Sequence, residues 1–401
     1  MQYGAEKVFT DQTELPVYRV GVDGFWTHNG FWGNHACPLS PRGDAFAVRA
    51  LDLNEKKSYV MVLELDGKAR WKRLDPYEDI ENGYRHGENP YHGGDVFWDD
   101  DGTRVYGKGL LYGWDAETGE ELSGPHPGAC PAVAVHGGSQ IANIDYARLD
   151  DVLPDTTYGL FEVRPSGTLS AVKLVLSVRD LRAIRSRLHP DWAPLPDVPI
   201  DAIAVKWNKN RDYFQFNLGN HVIGYNGYRP PLVREVWVSN TEYTDVRPVI
   251  PYVSPDDPLT FRNHSSFRYP AGDTLCGHTG EGVAVVNRDG TGLRYFRTGV
   301  GGGHPSISPD GNWVISDSYG ENRDLFLIDV KTGNCTKLLT VPATATSLPD
   351  WWRDQDRPSK QKGPGQTCLH PNWSADGKKV TFNAMFGPHC QVCLIDLSSL
   401  M

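Results

Sequence analysis

The sequence predicts an all-β chain folded as a single seven-bladed β-propeller over residues 1–401. Three observations predict it. The first is a repeated sentence. Residues 302–330, GGHPSISPDGNWVISDSYGENRDLFLIDV, return as residues 368–397, CLHPNWSADGKKVTFNAMFGPHCQVCLIDL. His304-Pro305 becomes His370-Pro371 and Asp310-Gly311 becomes Asp376-Gly377, both offset by the same 66 residues. A self-similar antiparallel unit of this size is one propeller blade. The second is composition: Gly 42, Pro 29, Trp 12 and Tyr 18 fit a turn-rich, aromatic-rich all-β protein. The third is spacing, because seven such units fill the chain at roughly 50 residues each, near the upper end of known repeat lengths.

The elements follow in order. Residues 17–20 (VYRV) form an isolated strand ahead of the first blade. A strand in that place completes the last blade, closes the ring and removes exposed edges. Blade 1 covers about residues 28–74, with a Ser40-Pro41-Arg42-Gly43 turn and an apolar strand at 59–65. Blade 2 covers about 92–124 and turns at Asp101-Gly102. Blade 3, about 130–181, is less regular and contains IANIDYARL and then YGLFEV. The segment RDLRAIRSRLHPDWAPLPDVP, basic and then Pro-rich, reads as a surface loop or short helix between blades. In blade 4, about 202–249, AVKWNKNRDYFQF and REVWVSN bracket the insertion NLGNHVIGYNGYRPPLV. Blade 5 spans about 264–298 and turns at Ala271-Gly272-Asp273. Blade 6 is the repeated unit at 302–330, where Gly311 supplies the positive φ of a tight turn and Val314, Ile315, Leu325, Leu327 and Val330 the apolar strand content. A polar connection over 342–367 leads to blade 7.

Charge and composition set bounds on function. The net charge of −10 and pI of about 5.7 weigh against nucleic acid as a partner. No run approaches the ~20 apolar residues of a membrane span, so no membrane partner is expected. Seven cysteines, an odd number scattered along the chain, do not read as a disulfide framework. The start, MQYGAEKVFTDQTELP, carries no apolar signal core, which favours the cytoplasm, with the periplasm or secretion as the expectation if an export signal was trimmed. A monomer or small homo-oligomer is the expected state.

A propeller fold does not give a function, so the chemistry must come from side chains gathered where the blades' inner strands converge. His28, His35, His92, His264, His304 and His370 all fall at or just before the first strand of a blade. Equivalent blade positions meet around the axis. His264, His304, Cys368 and His370, from blades 5, 6 and 7, make the strongest constellation. Cys368 and His370 are i and i+2 in an extended segment and can face one side. Three imidazoles and a thiolate suit Zn²⁺ or another borderline divalent metal, with Mn²⁺ and Ca²⁺ ranked behind it. The competing reading has equal weight: His-Pro is a blade-start motif whose imidazole hydrogen-bonds a backbone carbonyl. Cys276, His278, Cys335, His389, Cys390 and Cys393 are rival ligands. Cys390 and Cys393 would face opposite sides of one strand, and Cys393 reads as core.

A second constellation lies in the loops of blades 2 to 4. It comprises Arg85, His86, Tyr91 and His92, then Tyr146, Arg148 and Tyr158, then His221, Tyr225, Tyr228 and Arg229. Tyr, His and Arg crowded into loops point to a binding surface for anionic ligands. The alternatives are packing for Tyr158 and an ion pair of Arg148 with Asp145 or Asp150.

The chain resembles the TolB-like propeller polysaccharide lyases, of the oligogalacturonate-lyase and ulvan-lyase types. The segments that carry the resemblance are YHGGDVFWDDDG, IANIDYARLDDVLPDTTYGLFEV, VKWNKNRDYFQF with REVWVSN, GGGHPSISPDGNWVISDSY and CLHPNWSADGKKVTFNAMFGPHCQVCLIDL. The Ser-Pro-Asp-Gly blades are common to all TolB-like propellers; the blade-3 and Cys-x-His-Pro segments are more specific. In oligogalacturonate lyases the last blade offers a Gln and two His to a metal, with another His one blade earlier. The matching positions here are Cys368, His370 and His304, so Cys368 stands where the family has a His, and Gln366 lies nearer to it than the family's spacing. The ulvan-lyase type uses a structural Zn²⁺, which a thiolate ligand suits.

The resemblance implies β-elimination at a uronic acid in an acidic oligosaccharide or polysaccharide, giving a 4,5-unsaturated uronate. That reaction needs the carboxylate neutralised, a base for the C5 proton and an acid for the departing O4 oxygen. His92 is expected as neutraliser or acid/base, Tyr146 as proton carrier, Arg229 as carboxylate partner and His221 as reserve base. His86, Arg148, Tyr158 and Tyr228 are expected to touch substrate. A non-catalytic TolB-like propeller that binds glycans or protein partners is the alternative. A glycoside hydrolase would need a pair of carboxylates at suitable separation, and the blade starts do not present one.

Overall fold

The computed structural model describes residues 6–22, 24–28, 37–65, 70–79, 96–99, 101–107, 112–122, 134–136, 139–142, 159–163, 172–198, 200–208, 210, 212–219, 233–254, 256–267, 272–299, 303–319, 322–346 and 367–401. Among these the protein is all-β with one helix, and its strands form seven antiparallel sheets. The chain divides into two compact units, Met1–Cys130 with Ser308–Met401, and Pro131–Ile307.

Three sheets lie wholly in the first unit. β3 (Phe25–His28), β4 (Ala45–Asp52), β5 (Lys57–Glu64) and β6 (Arg70–Asp79) form one, in chain order. β7 (Val96–Trp98), β8 (Arg104–Gly107), β9 (Tyr112–Asp115) and β10 (Glu121–Leu122) form the next. The third is built from both ends of the sequence: β27 (Asn372–Trp373), β28 (Lys379–Phe386) and β29 (His389–Asp396) are joined by β2 (Val17–Arg19) and then β1 (Glu6–Lys7). Val17 stands opposite Ile395 and Arg19 opposite Cys393 in this ladder.

The second unit holds three more sheets, again each in chain order. They are β11 (Ala134–His136) to β14 (Val172–Ser177), β15 (Asp201–Trp207) to β18 (Val246–Ile250), and β19 (Phe261–Phe267) to β22 (Arg294–Arg297). The seventh sheet straddles the division in sequence. Its first strand, β23 (Ser306–Ile307), is hydrogen-bonded to β24 (Trp313–Asp317), which is followed by β25 (Asn322–Asp329) and β26 (Cys335–Pro342).

Chain-order antiparallel sheets follow from tight turns, which leave a strand no partner but its neighbour. The repeated turn is built the same way twice. The Gly311 amide donates to the Ser308 carbonyl at 2.9 Å and the Asn312 amide to Asp310 Oδ1 at 3.0 Å. The Gly377 amide donates to the Ser374 carbonyl at 2.9 Å and the Lys378 amide to Asp376 Oδ1 at 3.0 Å. Gly311 and Gly377 sit at φ +78° and +69°, where a Cβ would be strained. The repeat is longer than the sequence reading made it, because β26 adds a fourth strand beyond Val330. Its residues CTKLLTVP open with three exposed positions, so the period-2 signal is weak.

The middle strands are buried on both faces. β4 buries seven consecutive residues, Ala45 to Leu51, and β17 (Arg234–Asn240) buries Glu235 to Ser239. Such strands lie between two covering layers. In the first unit Ile315, Leu325, Leu327 and Val341 pack with Val380, Phe382, Ala384 and Ile395, joining the seventh sheet to the β27–β29 sheet. In the second unit Phe214, Phe216, Leu218 and Trp237 pack with Val178 and Leu181.

Those last two residues belong to α1 (Val178–Leu188), the helical form of the segment read as loop or short helix. Ser177 caps it: the Asp180 amide donates to Ser177 Oγ at 3.1 Å, and the Ser177 amide donates to Asp180 Oδ2 at 2.9 Å. Arg185 anchors it through a buried ion pair, Nε to Glu235 Oε1 at 2.8 Å. The Trp237 indole and the Tyr252 amide also donate to Glu235, both at 3.0 Å. No helix among the described residues is long and apolar enough to cross a membrane.

Candidate functional site

The candidate site is built on the seventh sheet and the segment leading into β27. His304 stands two residues before β23, and Cys368 and His370 stand just before β27. The three are 1%, 0% and 0% exposed, and their ligand atoms all lie within 4.8 Å of one another.

Backbone and side-chain hydrogen bonds fix the Cys368–Leu369–His370 segment from three sides. The Asn383 side chain of β28 donates to the Cys368 carbonyl at 3.0 Å, and its amide donates to the Leu369 carbonyl at 2.8 Å. The Asn372 side chain donates to the His370 carbonyl at 3.0 Å. From β24, Asp317 Oδ2 accepts from the Leu369 amide at 3.2 Å. His370 is held at φ +46°, a left-handed conformation that a non-glycine residue adopts at a cost. That turn lets Cys368 and His370 approach one ligand centre, whereas the simple i, i+2 alternation of an extended strand would leave them parallel.

Two charged side chains lie beside the Cys368 segment. Arg323 on β25 is 2% exposed, and Asp317 is fully buried. Arg323 Nη1 is 3.9 Å from Asp317 Oδ2. The guanidinium also hydrogen-bonds the Cys368 side chain. Burial works against the Arg323 charge, yet Cys368 and Asp317 outweigh it and raise its pKa. Arg323 Nε and Nη1 have no hydrogen-bond partner. The Tyr319 ring, 46% exposed, covers the guanidinium with its centroid 5.4 Å from Cζ. Cys390 lies close by, its Sγ 3.4 Å from Thr367 Oγ1, and burial pushes its thiol up to about 12.

The donor set suits a divalent cation. In a tetrahedral site with bonds of about 2.0–2.3 Å, donors stand roughly 3.3–3.8 Å apart, so the three atoms need close by only about 1 Å. Two imidazoles and a thiol are the softer ligands that zinc-type ions favour over hard oxygen-loving ones.

Of the fourth expected ligand, His264, the backbone lies on β19, next to register irregularities on either side of Asn263; its side chain lies outside the described residues. Of the rival ligands, Cys390 lies near Cys368, whereas Cys276 and Cys393 are buried and Cys335 is exposed, and none of the four belongs to the three-residue group. His86, His92, Tyr146, Arg148, Tyr158, His221, Tyr228 and Arg229 all lie outside the described residues. Sequence reasoning missed Asp317, Tyr319 and Arg323. Their signal was present: an acid and a base inside strand patterns, VISDS and NRDLFL, that are otherwise apolar.

A second buried polar cluster lies in the other unit. Lys206 Nζ on β15 donates to the Ser265 carbonyl at 2.7 Å, and Gln215 Nε2 on β16 (Tyr213–Gly219) donates to the same oxygen at 2.9 Å. Ser265 Oγ donates to Asn217 Oδ1 at 2.6 Å. Burial pushes the Lys206 ammonium down to about 7, with Cys276 opposing weakly.

No protein-family model matches the sequence, and no curated protein matches it. Among solved structures, an oligogalacturonate lyase in complex with manganese is similar at 12% identity and a TM-score of 0.43, over 99% of this chain and 96% of that one. An oligogalacturonate lyase from Vibrio parahaemolyticus is similar at 12% identity and a TM-score of 0.43, over 99% and 97%. A chain of the mitotic checkpoint complex reaches a TM-score of 0.49 at 11% identity, over 98% and 97%. These likenesses are distant and span proteins of unlike roles.

Proposed function

We propose that the seven sheets are the blades of one TolB-like propeller and that the protein is a polysaccharide lyase, cleaving a uronate-containing glycan by β-elimination. The observation that supports this reading is the meeting of His304, Cys368 and His370. They match the family's metal positions in sequence, and their ligand atoms lie together in the structure. Chain-order sheets, with β2 added to β29, are the pattern a propeller needs to manage its edges.

His304, Cys368 and His370, with His264 as the fourth, are the proposed ligands of one divalent ion, Zn²⁺ ahead of Mn²⁺ or Ca²⁺. A bound cation with four protein ligands would fasten the site structurally, and one with an open position would supply Lewis acidity. The reaction itself is proposed to rest on side chains. Arg229 pairs with the uronate carboxylate, His92 neutralises charge or exchanges a proton, and Tyr146 carries the proton, with His221 in reserve. His86, Arg148, Tyr158 and Tyr228 hold the sugars. The proposed partner is therefore an acidic oligosaccharide or polysaccharide. A net charge of −10 does not oppose this if the binding mouth is locally basic.

The test is a screen of pectic, ulvan, alginate and glucuronan oligomers, followed by the ultraviolet absorbance of a conjugated unsaturated uronate. A new chromophore with at least one of them is expected. Saturable binding without product in every case would overturn the lyase reading in favour of a binding propeller.

A further inference from the structure

Arg323 and Tyr319 have no part in the reaction as proposed above; Arg323 is buried next to Cys368, and the half-exposed Tyr319 ring covers it. Arg323 carries a permanent charge in a desolvated place, and Nε and Nη1 lack hydrogen-bond partners. Its counter-charge, Asp317, stands 3.9 Å from Nη1, beyond hydrogen-bond reach, and that carboxylate already accepts from the Leu369 amide. A buried guanidinium with unmet donors is a receptor for a planar anion, since its fork matches a carboxylate's two oxygens. The covering group is an aromatic ring, 46% exposed, and a half-exposed ring beside a charged fork is the usual combination for holding a sugar by its face and its acid at once.

We infer that Arg323 anchors a substrate carboxylate and that Tyr319 is the platform for the sugar ring bearing it, beside Cys368. The choice of a uronate as the anion rests on the proposed lyase function. The competing role for Arg323 is purely to support the Cys368 segment, and a binding measurement separates the two. The proposal requires Tyr319 to move aside, and the carboxylate then takes a donor that Asp317 leaves unmet.

The experiment titrates digalacturonate, diglucuronate and dimannuronate, with cellobiose as the neutral control, into the wild type and the R323K, Y319A and Y319E variants by calorimetry. Circular dichroism and metal content are recorded for each. Wild type is expected to bind at least one diuronate and to prefer it to cellobiose. R323K, which keeps the charge but loses the fork, is expected to bind that diuronate at least ten-fold more weakly. Y319E sits at an exposed position where folding is not at risk, and it places a carboxylate over Arg323. It is expected to abolish diuronate binding, while Y319A weakens it. Unchanged binding in Y319E, or in folded R323K, overturns the proposal, as does a wild type that binds no diuronate. A wild type that binds diuronate through these residues but yields no unsaturated product overturns the lyase reading and leaves the carboxylate anchor in place.

Discussion

Replacing Lys206 by Met should make the protein more stable, and the gain should depend on pH in a defined way. Lys206 is buried and makes one described hydrogen bond, to the Ser265 carbonyl. Burial lowers its pKa from 10.5 to about 7. At about 1.4 kcal/mol per pKa unit, holding that amine in the fold costs about 5 kcal/mol at neutral pH. Met has a similar length and no charge to desolvate. Its introduction removes one hydrogen bond, worth about 1 kcal/mol. The Ser265 carbonyl is not orphaned, because Gln215 still donates to it. The net expectation at neutral pH is a gain of about 2–4 kcal/mol. The folded-state value lies below the unfolded one, so between roughly pH 7 and pH 10.5 the unfolded chain holds a proton that the folded chain does not. Wild-type stability from this group therefore rises with pH across that window. The advantage of Lys206→Met should shrink by roughly 3 kcal/mol between pH 7 and pH 9.5. Urea denaturation of both proteins at several pH values measures this. A variant less stable than wild type at pH 7, or a gap that does not narrow by pH 9.5, refutes the reasoning.

Arg185→Met should destabilise by about 3–5 kcal/mol, because it leaves Glu235 buried and uncompensated, and a loss below about 1 kcal/mol in urea titration would mean the pair is dispensable. Cys368→Ser should lower both the divalent metal content, measured by elemental analysis, and the melting temperature, whereas unchanged metal content would remove Cys368 from the proposed ligand set. Tyr146→Phe should cut turnover on a cleaved glycan at least ~100-fold with the circular dichroism spectrum intact, and near-normal turnover would pass the proton-carrying role to Tyr158, Tyr228 or His221.

The turns were legible because they are chemical necessities. Asp310-Gly311 and Asp376-Gly377 announce positive φ and an Asx bond, and both are found with the same partners. Strand order was legible for the same reason, since a tight turn fixes the neighbour. What the sequence hid was three-dimensional neutralisation. Asp317 and Arg323 are six residues apart across a hairpin, and nothing in a linear pattern says that an acid there reaches the Leu369 amide. Periodicity treats a buried charge as noise in an apolar strand, so Lys206 and Arg323 both read as strand filler. The left-handed backbone at His370 was not read from the sequence, because a histidine there signals it far less strongly than a glycine would.

The addition of β2 to the β27–β29 sheet ties the order of synthesis to the order of assembly. A ribosome delivers β2 early and its partner β29 only after every other strand described here. Throughout elongation β2 has only β1 to pair with, and the edge that β29 will cover stays bare. The other six sheets can close as their own strands emerge, but this one waits for the last. A chain that stops before β29 therefore keeps the β2 edge unmatched.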